Sequence, residues 1–146
     1  MGTGDALSKV IRDSRPHFPQ PDPQWIEDRF WLWVHYAATK LGRRELVEVI
    51  DFMSYLRSQV IGPLLLMQKG HQPRGVRRIE SLAGGELPRL LRTVAKHDVR
   101  SCADAIYATI ELYRELREHH ATLSLQRGSL AEQAAVAYLA GIAAPS

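Results

Sequence analysis

Residues Trp25 to Tyr36, WIEDRFWLWVHY, contain all three tryptophans of the chain and decide the fold of its N-terminal part. At about 100° per residue, a helix through this stretch has one apolar stripe, which predicts packing inside a helical bundle. The stripe consists of Ile26, Phe30, Trp33, Ala37 and Leu41. Trp31 and Leu32 point away from that stripe, so the helix has a second apolar side that must also be covered. We therefore predict that a partner chain or a ligand covers it.

The second side of this helix also carries polar residues, Asp28 and His35. A polar pair beside Trp31 and Leu32 is typical of a ligand pocket or a domain interface. An ordinary oligomer contact would present the same residues, so both interpretations stay open. Asp28, Trp31 and His35 are therefore our candidate ligand or interface residues.

Helix signals along the chain predict an all-α, up-and-down bundle of four principal helices. The first helix begins after Asp22, which can cap it, and ends near Gly42. A second helix over about 43–69 follows after so short a gap that the two must form an antiparallel hairpin. Pro63 inside the second helix predicts a kink about one turn upstream.

The remaining helices are predicted from weaker signals. Short helices are expected between 76 and 93, and a long helix over about 101–120 carries the last strong apolar stripe. Two capping boxes are expected, Ser101 with Asp104 and Ser129 with Glu132. The second box precedes an Ala-rich helix that ends near Ala144.

Proline content and helix signals divide the chain into three parts. Prolines at positions 16, 19, 21 and 23 favour an extended connector that leads into the first helix, so residues 1–23 are predicted as an N-terminal arm with a proline-rich connector. Residues 24–122 are predicted as the helical bundle, and residues 123–146 as an Ala-rich C-terminal helical tail.

Composition describes an ordinary globular chain that needs no disulfide or metal to fold. The formal net charge of +3 is too small to require a nucleic-acid partner. Cys102 is the single cysteine, which fits a reducing cytoplasm, and its place on an apolar stripe predicts a buried, inert thiol. No apolar run approaches the ~20 residues of a membrane span, so we expect no membrane association.

The common motifs of nucleotide and metal chemistry are missing from the sequence. Neither GxGxxG nor GxxxxGK[ST] occurs, and there is no HExxH. His119 and His120 are adjacent and point in different directions. We therefore expect no metal site, no catalytic residue and no cofactor in this chain.

Arginines followed at short spacing by histidine give a rival interpretation. Such pairs resemble the motif of HEPN-like helical ribonucleases and toxin components, in which a cation and a general base lie at one phosphate. The pairs here are Arg12 with His17, Arg29 with His35, Arg92 with His97, and Arg114 with His119 or His120. Only Arg29 and His35 lie on a strongly patterned helix, where they are roughly 120° apart. The ribonuclease alternative therefore depends on these two residues.

The segment RGVRRIE, residues 74–80, concentrates basic charge. Three guanidinium groups around a turn, with Gly75 allowing close approach of a ligand to the backbone, indicate an anion site. The candidate residues are Arg74, Arg77 and Arg78. A solvated loop in which Glu80 pairs with an arginine is the other interpretation, and it stays open.

Three runs carry a family resemblance: EDRFWLWVHYAATKLGRREL (27–46), EVIDFMSYLRSQVIGPLLL (48–66) and RGVRRIE (74–80). Over about Pro21 to Glu118 the chain resembles the C-terminal helical domain of bacterial nucleotidyltransferases, relatives of the aminoglycoside and lincosamide nucleotidyltransferases. The resemblance implies a bundle that helps to shape an acceptor-substrate pocket. It also implies a preceding α/β domain, in which Gly-Ser and Asp-x-Asp hold Mg²⁺ and the nucleoside triphosphate.

This chain lacks the catalytic part of that pattern. It has no Asp-x-Asp or Asp-x-Glu, and Gly128-Ser129 is followed by an Ala-rich helix. Without two carboxylates to hold the metal, nucleotidyl transfer loses its main electrostatic support. We therefore expect a non-catalytic substrate-binding or accessory domain, with a nucleotide or small molecule as candidate ligand. An α/β domain in cis or in trans, or a second copy in a homodimer, is the expected partner; a purely structural dimerisation bundle is the third alternative.

Overall fold

The computed structural model describes residues 20–120 and 124–144, and within these residues all regular structure is helical. The helices are α1 (Pro23–Gly42), α2 (Leu46–Leu56), α3 (Gly62–Gln68), α4 (Ile79–Leu82), α5 (Leu87–Leu91), α6 (Val99–His120) and α7 (Ser129–Ala143). A π-helical segment, Arg57–Ile61, connects α2 to α3, and a 3₁₀ turn, Gly84–Glu86, precedes α5. The all-α class is confirmed. Among the described helices, none has both the length and the apolar composition that a membrane crossing requires.

Most of the predicted N-terminal arm cannot be compared with the structure. Residues 1–19, which include Arg12 and His17, lie outside the described residues, as do 121–123 and 145–146.

Helix α1 begins and ends where its sequence predicts. The side chain of Asp22 accepts hydrogen bonds from the amides of Gln24 and Trp25, at 3.0 and 3.2 Å, and so caps the helix. The next helix begins at Leu46, later than predicted, because Arg44 takes a left-handed φ of 64° that interrupts the helix. The two helices still form the predicted hairpin.

Pro63 disturbs the second helix where predicted but does not end it. One turn upstream, over Arg57–Ile61, the backbone changes to π-helical hydrogen bonding. Proline has no amide hydrogen and its ring crowds the preceding turn, and a π segment widens the helix to accommodate both effects. The helix therefore continues through Pro63 into α3.

Gly62, beside Pro63, lies where a loop crosses the helix. A Cβ at this position would lie 2.3 Å from the carbonyl oxygen of Gly75, 2.7 Å from that of Arg57 and 2.9 Å from Val76 Cγ1. These distances are too short for any real Cβ, and two of the three atoms belong to backbone. Glycine at position 62 therefore lets the loop lie directly on the helix.

Helix α7 belongs to the packed core, which corrects the prediction of a C-terminal tail. α1 packs more extensively against α7 than against α2 or α6. α7 buries Ala135 and Leu139, and its Ile142 lies 3.0 Å from the position of a Cβ at Gly42. Small side chains let the two helices approach closely, so a weak apolar stripe is enough for packing.

Neither predicted capping box forms. α6 begins two residues before Ser101, whose amide donates instead to Asp98 Oδ2 at 2.8 Å. At the start of α7 the cap residue is Gly128, which has no side-chain cap, and Glu132 binds two arginines of α6. The first box fails because α6 begins before Ser101, and the second fails because Glu132 has stronger, charged partners.

We predict that Gly62→Ala destabilises the protein by about 2 kcal/mol, because the new methyl group forces the 73–76 loop off the helix. Urea denaturation measures the change in the free energy of unfolding. Gly85→Ala is the matched control, since no atom lies within 4 Å of a Cβ there. Equal stability of the two variants would mean that the loop does not rest on Gly62.

Candidate functional site

Trp31 lies in the core of its own chain. Only 2% of its surface is exposed, and its ring meets Phe30 at 4.9 Å and Tyr113 of α6 at 6.0 Å between centroids, both edge-on. A Cβ on Gly128, just before α7, would lie 3.8 Å from the indole. The second apolar side of α1 is thus covered at Trp31 by α6 and the start of α7, which corrects the prediction that a partner chain or ligand must cover it.

The other two candidates on this side have different surroundings. Asp28 is exposed and accepts a hydrogen bond from Gln24 Nε2 at 2.7 Å. His35 stacks on Tyr138 of α7, with 4.4 Å between ring centroids. Leu32, by contrast, remains 66% exposed. The structure therefore does not bring Asp28, Trp31 and His35 into one pocket, and His35 faces an interface inside the chain.

Sequence reasoning missed the main polar feature of the core, the buried carboxylate of Glu27. Its side chain is fully buried and accepts hydrogen bonds from three elements. The donors are Tyr113 OH at 2.7 Å, Trp31 Nε1 at 2.9 Å, the Gly128 amide at 3.0 Å, and Arg117 Nη1 at 3.2 and 3.3 Å. An acidic residue one turn before a buried tryptophan, on the same side of a helix, is the signal that could have revealed it.

Ion pairs connect the polar cluster around Glu27 to α7. Arg117 Nη1 also donates to Glu132 Oε1 at 2.8 Å, and Arg114 Nε donates to Glu132 Oε2 at the same distance. Within the described residues, the buried Nε of Arg117 has no hydrogen-bond partner. Two arginines and two glutamates therefore hold the start of α7 against α1 and α6.

The hydrogen bonds keep Glu27 ionised. Burial alone would raise the pKa of its carboxyl group, but the bonds from Tyr113, Trp31, the Gly128 amide and Arg117 outweigh burial, so the pKa lies below its ordinary value. Burial and the bond to Glu27 raise the pKa of the Tyr113 phenol far above its usual range. Neither group exchanges a proton near neutral pH, so the cluster is suited to holding helices together and not to acid–base catalysis.

The predicted anion site is only partly assembled. Arg74, Arg77 and Arg78 are all exposed, and Arg74 Nε donates to Gln72 Oε1 at 2.9 Å. Gly75 does allow close backbone approach, but its carbonyl approaches Gly62 inside the molecule, not a ligand. Of the three arginines, Arg74 lines a cleft.

That cleft, of about 480 Å³, lies between the start of α1, the π-helical segment and the 73–75 loop. Its lining residues are Gln20, Pro21, Asp22, Trp25, Ile26, Ser58, Gln59, Pro63, Pro73, Arg74 and Gly75. Trp25 is 46% exposed and offers an aromatic surface, and Arg74 offers a guanidinium group. π-Helical segments occur frequently at functional sites. The cleft can thus accept a small molecule that has a ring and an anionic group.

The arginine and histidine of the rival interpretation face different neighbours. Arg29 lies over the Trp25 ring at 4.3 Å and donates to the Trp25 carbonyl at 3.0 Å, whereas His35 stacks on Tyr138. In the described part of the chain, no group of three His, Cys, Asp or Glu side chains could hold a metal ion. Cys102 is buried, as predicted, and burial raises the pKa of its thiol.

Comparisons with protein-family models, curated proteins and solved structures each gave no match for this chain. The geometry described above is therefore the basis for the functional argument, and the nucleotidyltransferase resemblance remains an expectation.

We predict that Glu27→Gln lowers the free energy of unfolding by about 3 kcal/mol, because it removes one of the two carboxylates that pair with the buried Arg117 and turns an amide NH2 donor towards groups that are themselves donors. Chemical denaturation measures the loss. Glu118→Gln is the control, since Glu118 pairs with Arg127 at the surface and should cost less than about 1 kcal/mol. Similar losses in both variants would contradict a special role for Glu27.

Stability should also fall in acid because of Glu27. Since its pKa in the folded protein lies below the ordinary 4.5, its stabilising contribution is complete above that value and is lost as the pH drops through the lower, folded-state pKa. Denaturation at a series of pH values should show the gap between the wild type and Glu27→Gln shrinking below about pH 4.5. A gap that stays constant down to pH 2 would rule out a lowered pKa.

Proposed function

We propose that this chain is a non-catalytic helical domain of the nucleotidyltransferase type, an up-and-down bundle of four principal helices that binds a substrate. Its ligand site in this proposal is the cleft between α1, the π-helical segment and the 73–75 loop. One observation carries the proposal. The cleft is lined by residues of two of the three runs that resemble that family, Ser58 and Gln59 in one and Arg74 with Gly75 in another, and by Trp25 and Ile26, which directly precede the third run.

The lining of the cleft favours a nucleotide as ligand. The Trp25 ring can stack on a base, and the Arg74 guanidinium can bind a phosphate with charge-assisted hydrogen bonds. Ser58 and Gln59 add neutral hydrogen-bonding groups. Asp22 places a carboxylate at the start of α1, which disfavours a second anionic group there, so a single phosphate suits the site best.

Chemistry is left to another domain in this proposal. The chain has no Asp-x-Asp pair to hold catalytic metal ions, and its buried carboxylate, Glu27, is already bonded by four groups. An α/β nucleotidyltransferase domain, in cis or in trans and in the cytoplasm, would supply the metal-dependent step. The helical chain would bind and position the acceptor or the nucleotide.

The ribonuclease alternative has less support. It requires Arg29 and His35 to act on one phosphate, and the two side chains instead pack against Trp25 and Tyr138. We therefore do not propose it.

Calorimetric titration with AMP, ATP and inorganic phosphate, each with and without Mg²⁺, tests the cleft. We expect AMP to bind, and Arg74→Ala to weaken its affinity about tenfold through loss of a charge-assisted hydrogen bond. Trp25→Ala should lower the affinity for AMP but leave the affinity for inorganic phosphate unchanged.

Arg77→Ala is the matched control because Arg77 lies in the same loop and does not line the cleft. It should leave AMP affinity within about twofold of the wild type. Absence of binding by AMP and ATP would overturn the nucleotide proposal, and equal effects of Arg74→Ala and Arg77→Ala would place the ligand elsewhere.

A further inference from the structure

A continuous row of aromatic rings runs along the outside of the α1–α2 hairpin. Ring centroids are 5.8 Å apart for Trp25 and Trp33, 6.3 Å for Trp33 and Tyr55, 5.9 Å for Tyr55 and Phe52, and 4.8 Å for Phe52 and Tyr36. Leu32 lies on the same side of α1 by helical spacing. We call this surface the aromatic face: Trp25, Leu32, Trp33, Tyr36, Phe52 and Tyr55.

The aromatic face is open to solvent in the single chain. Leu32 is 66% exposed, Trp25 and Tyr55 are each 46% exposed, and Tyr36 is 45% exposed. Scattered apolar side chains are normal on a protein surface, but a contiguous apolar patch marks an interaction site. α7 covers the side of α1 that carries His35, so the aromatic face is a different surface.

Charge is distributed unevenly along the aromatic face. Arg29 lies near one end, stacked on Trp25, and Asp51 is an exposed acid next to Phe52, towards the other end. The ion pairs of the described residues include neither Arg29 nor Asp51. Lys40 binds both Glu45 and Glu48 at this end, so these three side chains leave one net negative charge beside Asp51.

The register of the hairpin makes this charge pattern self-complementary. Trp33 contacts Tyr55, and Lys40 contacts Glu48. The two helices are antiparallel, so a residue that lies a given number of positions after Trp33 on α1 is level with the residue the same number of positions before Tyr55 on α2. Asp51 therefore lies level with Ala37. Arg29 and Ala37 are equally far from Trp33 on its two sides, about 6 Å along the helix axis at 1.5 Å per residue.

We propose that the aromatic face binds a second copy of this chain, in a symmetric dimer whose two-fold axis passes beside Trp33 and Tyr55. The two α1 helices run antiparallel across the interface. Arg29 of each copy then lies level with the partner's Asp51, and the two copies of Leu32 meet near the axis. Such isologous pairing needs one patch that matches itself, and the aromatic face has this property. The aromatic face shares Trp25 with the cleft, but the dimer does not require a ligand in the cleft.

Sedimentation equilibrium of the full chain over a range of concentrations tests the dimer. We expect the wild type to form a dimer, and Leu32→Glu to weaken it at least about hundredfold, because two carboxylates meet near the axis. Leu130→Glu is the matched control: Leu130 is 84% exposed and lies on α7, so this variant should dimerise like the wild type. Circular dichroism verifies that both variants remain folded.

A charge swap tests the register of the dimer. Arg29→Glu and Asp51→Arg should each weaken it about tenfold, and the double variant should recover to within about threefold of the wild type. A monomeric wild type would overturn the proposal, and so would equal effects of Leu32→Glu and Leu130→Glu. Failure of the double variant to recover would overturn the two-fold register.

Discussion

The buried carboxylate of Glu27 is the interaction on which the arrangement of α1, α6 and α7 depends. A charge removed from water is tolerated only when hydrogen bonds and an opposite charge replace its hydration. Its donors belong to α1 itself, to α6 and to the backbone before α7. Displacing α6 would leave the buried Glu27 without Arg117, and displacing α7 would take the Gly128 amide from Glu27 and Glu132 from Arg117, so these contacts fix the positions of the helices more strictly than apolar packing alone could.

This polar anchoring explains how the Ala-rich helix α7 can cover a tryptophan-rich helix. α7 buries few large side chains of its own, but Glu132 ties its first turn to Arg114 and Arg117, and Tyr138 stacks on His35. One apolar side of α1 is thereby covered within the chain. The aromatic face stays exposed, and it is for this solvent-facing side of α1, not for the side of Trp31, that we propose a partner.

The cleft for which we propose a ligand depends on a second constraint, the close contact between a helix and a loop. Pro63 produces a π-helical segment, Gly62 leaves room for the Gly75 carbonyl, and the loop brings Arg74 to the cleft that Trp25 also lines. The structural irregularity and the proposed function therefore share a cause. A regular helix with a side chain at position 62 would have neither the loop contact nor this cleft.

Elements whose signals are local can be predicted from the sequence. Asp22 and Gly42 bound α1, Pro63 disturbs the helix one turn upstream, and Cys102 lies in the core, because capping, the missing amide hydrogen and helical periodicity act over a few residues. Which side of α1 is covered, and by which helices, follows from the packing of the folded chain and not from any local signal. The bond between Glu27 and Arg117 spans most of the chain, and the packing of α7 depends on small side chains that give a weak periodic signal. Such distant contacts depend on how the helices meet in space, which no local pattern records.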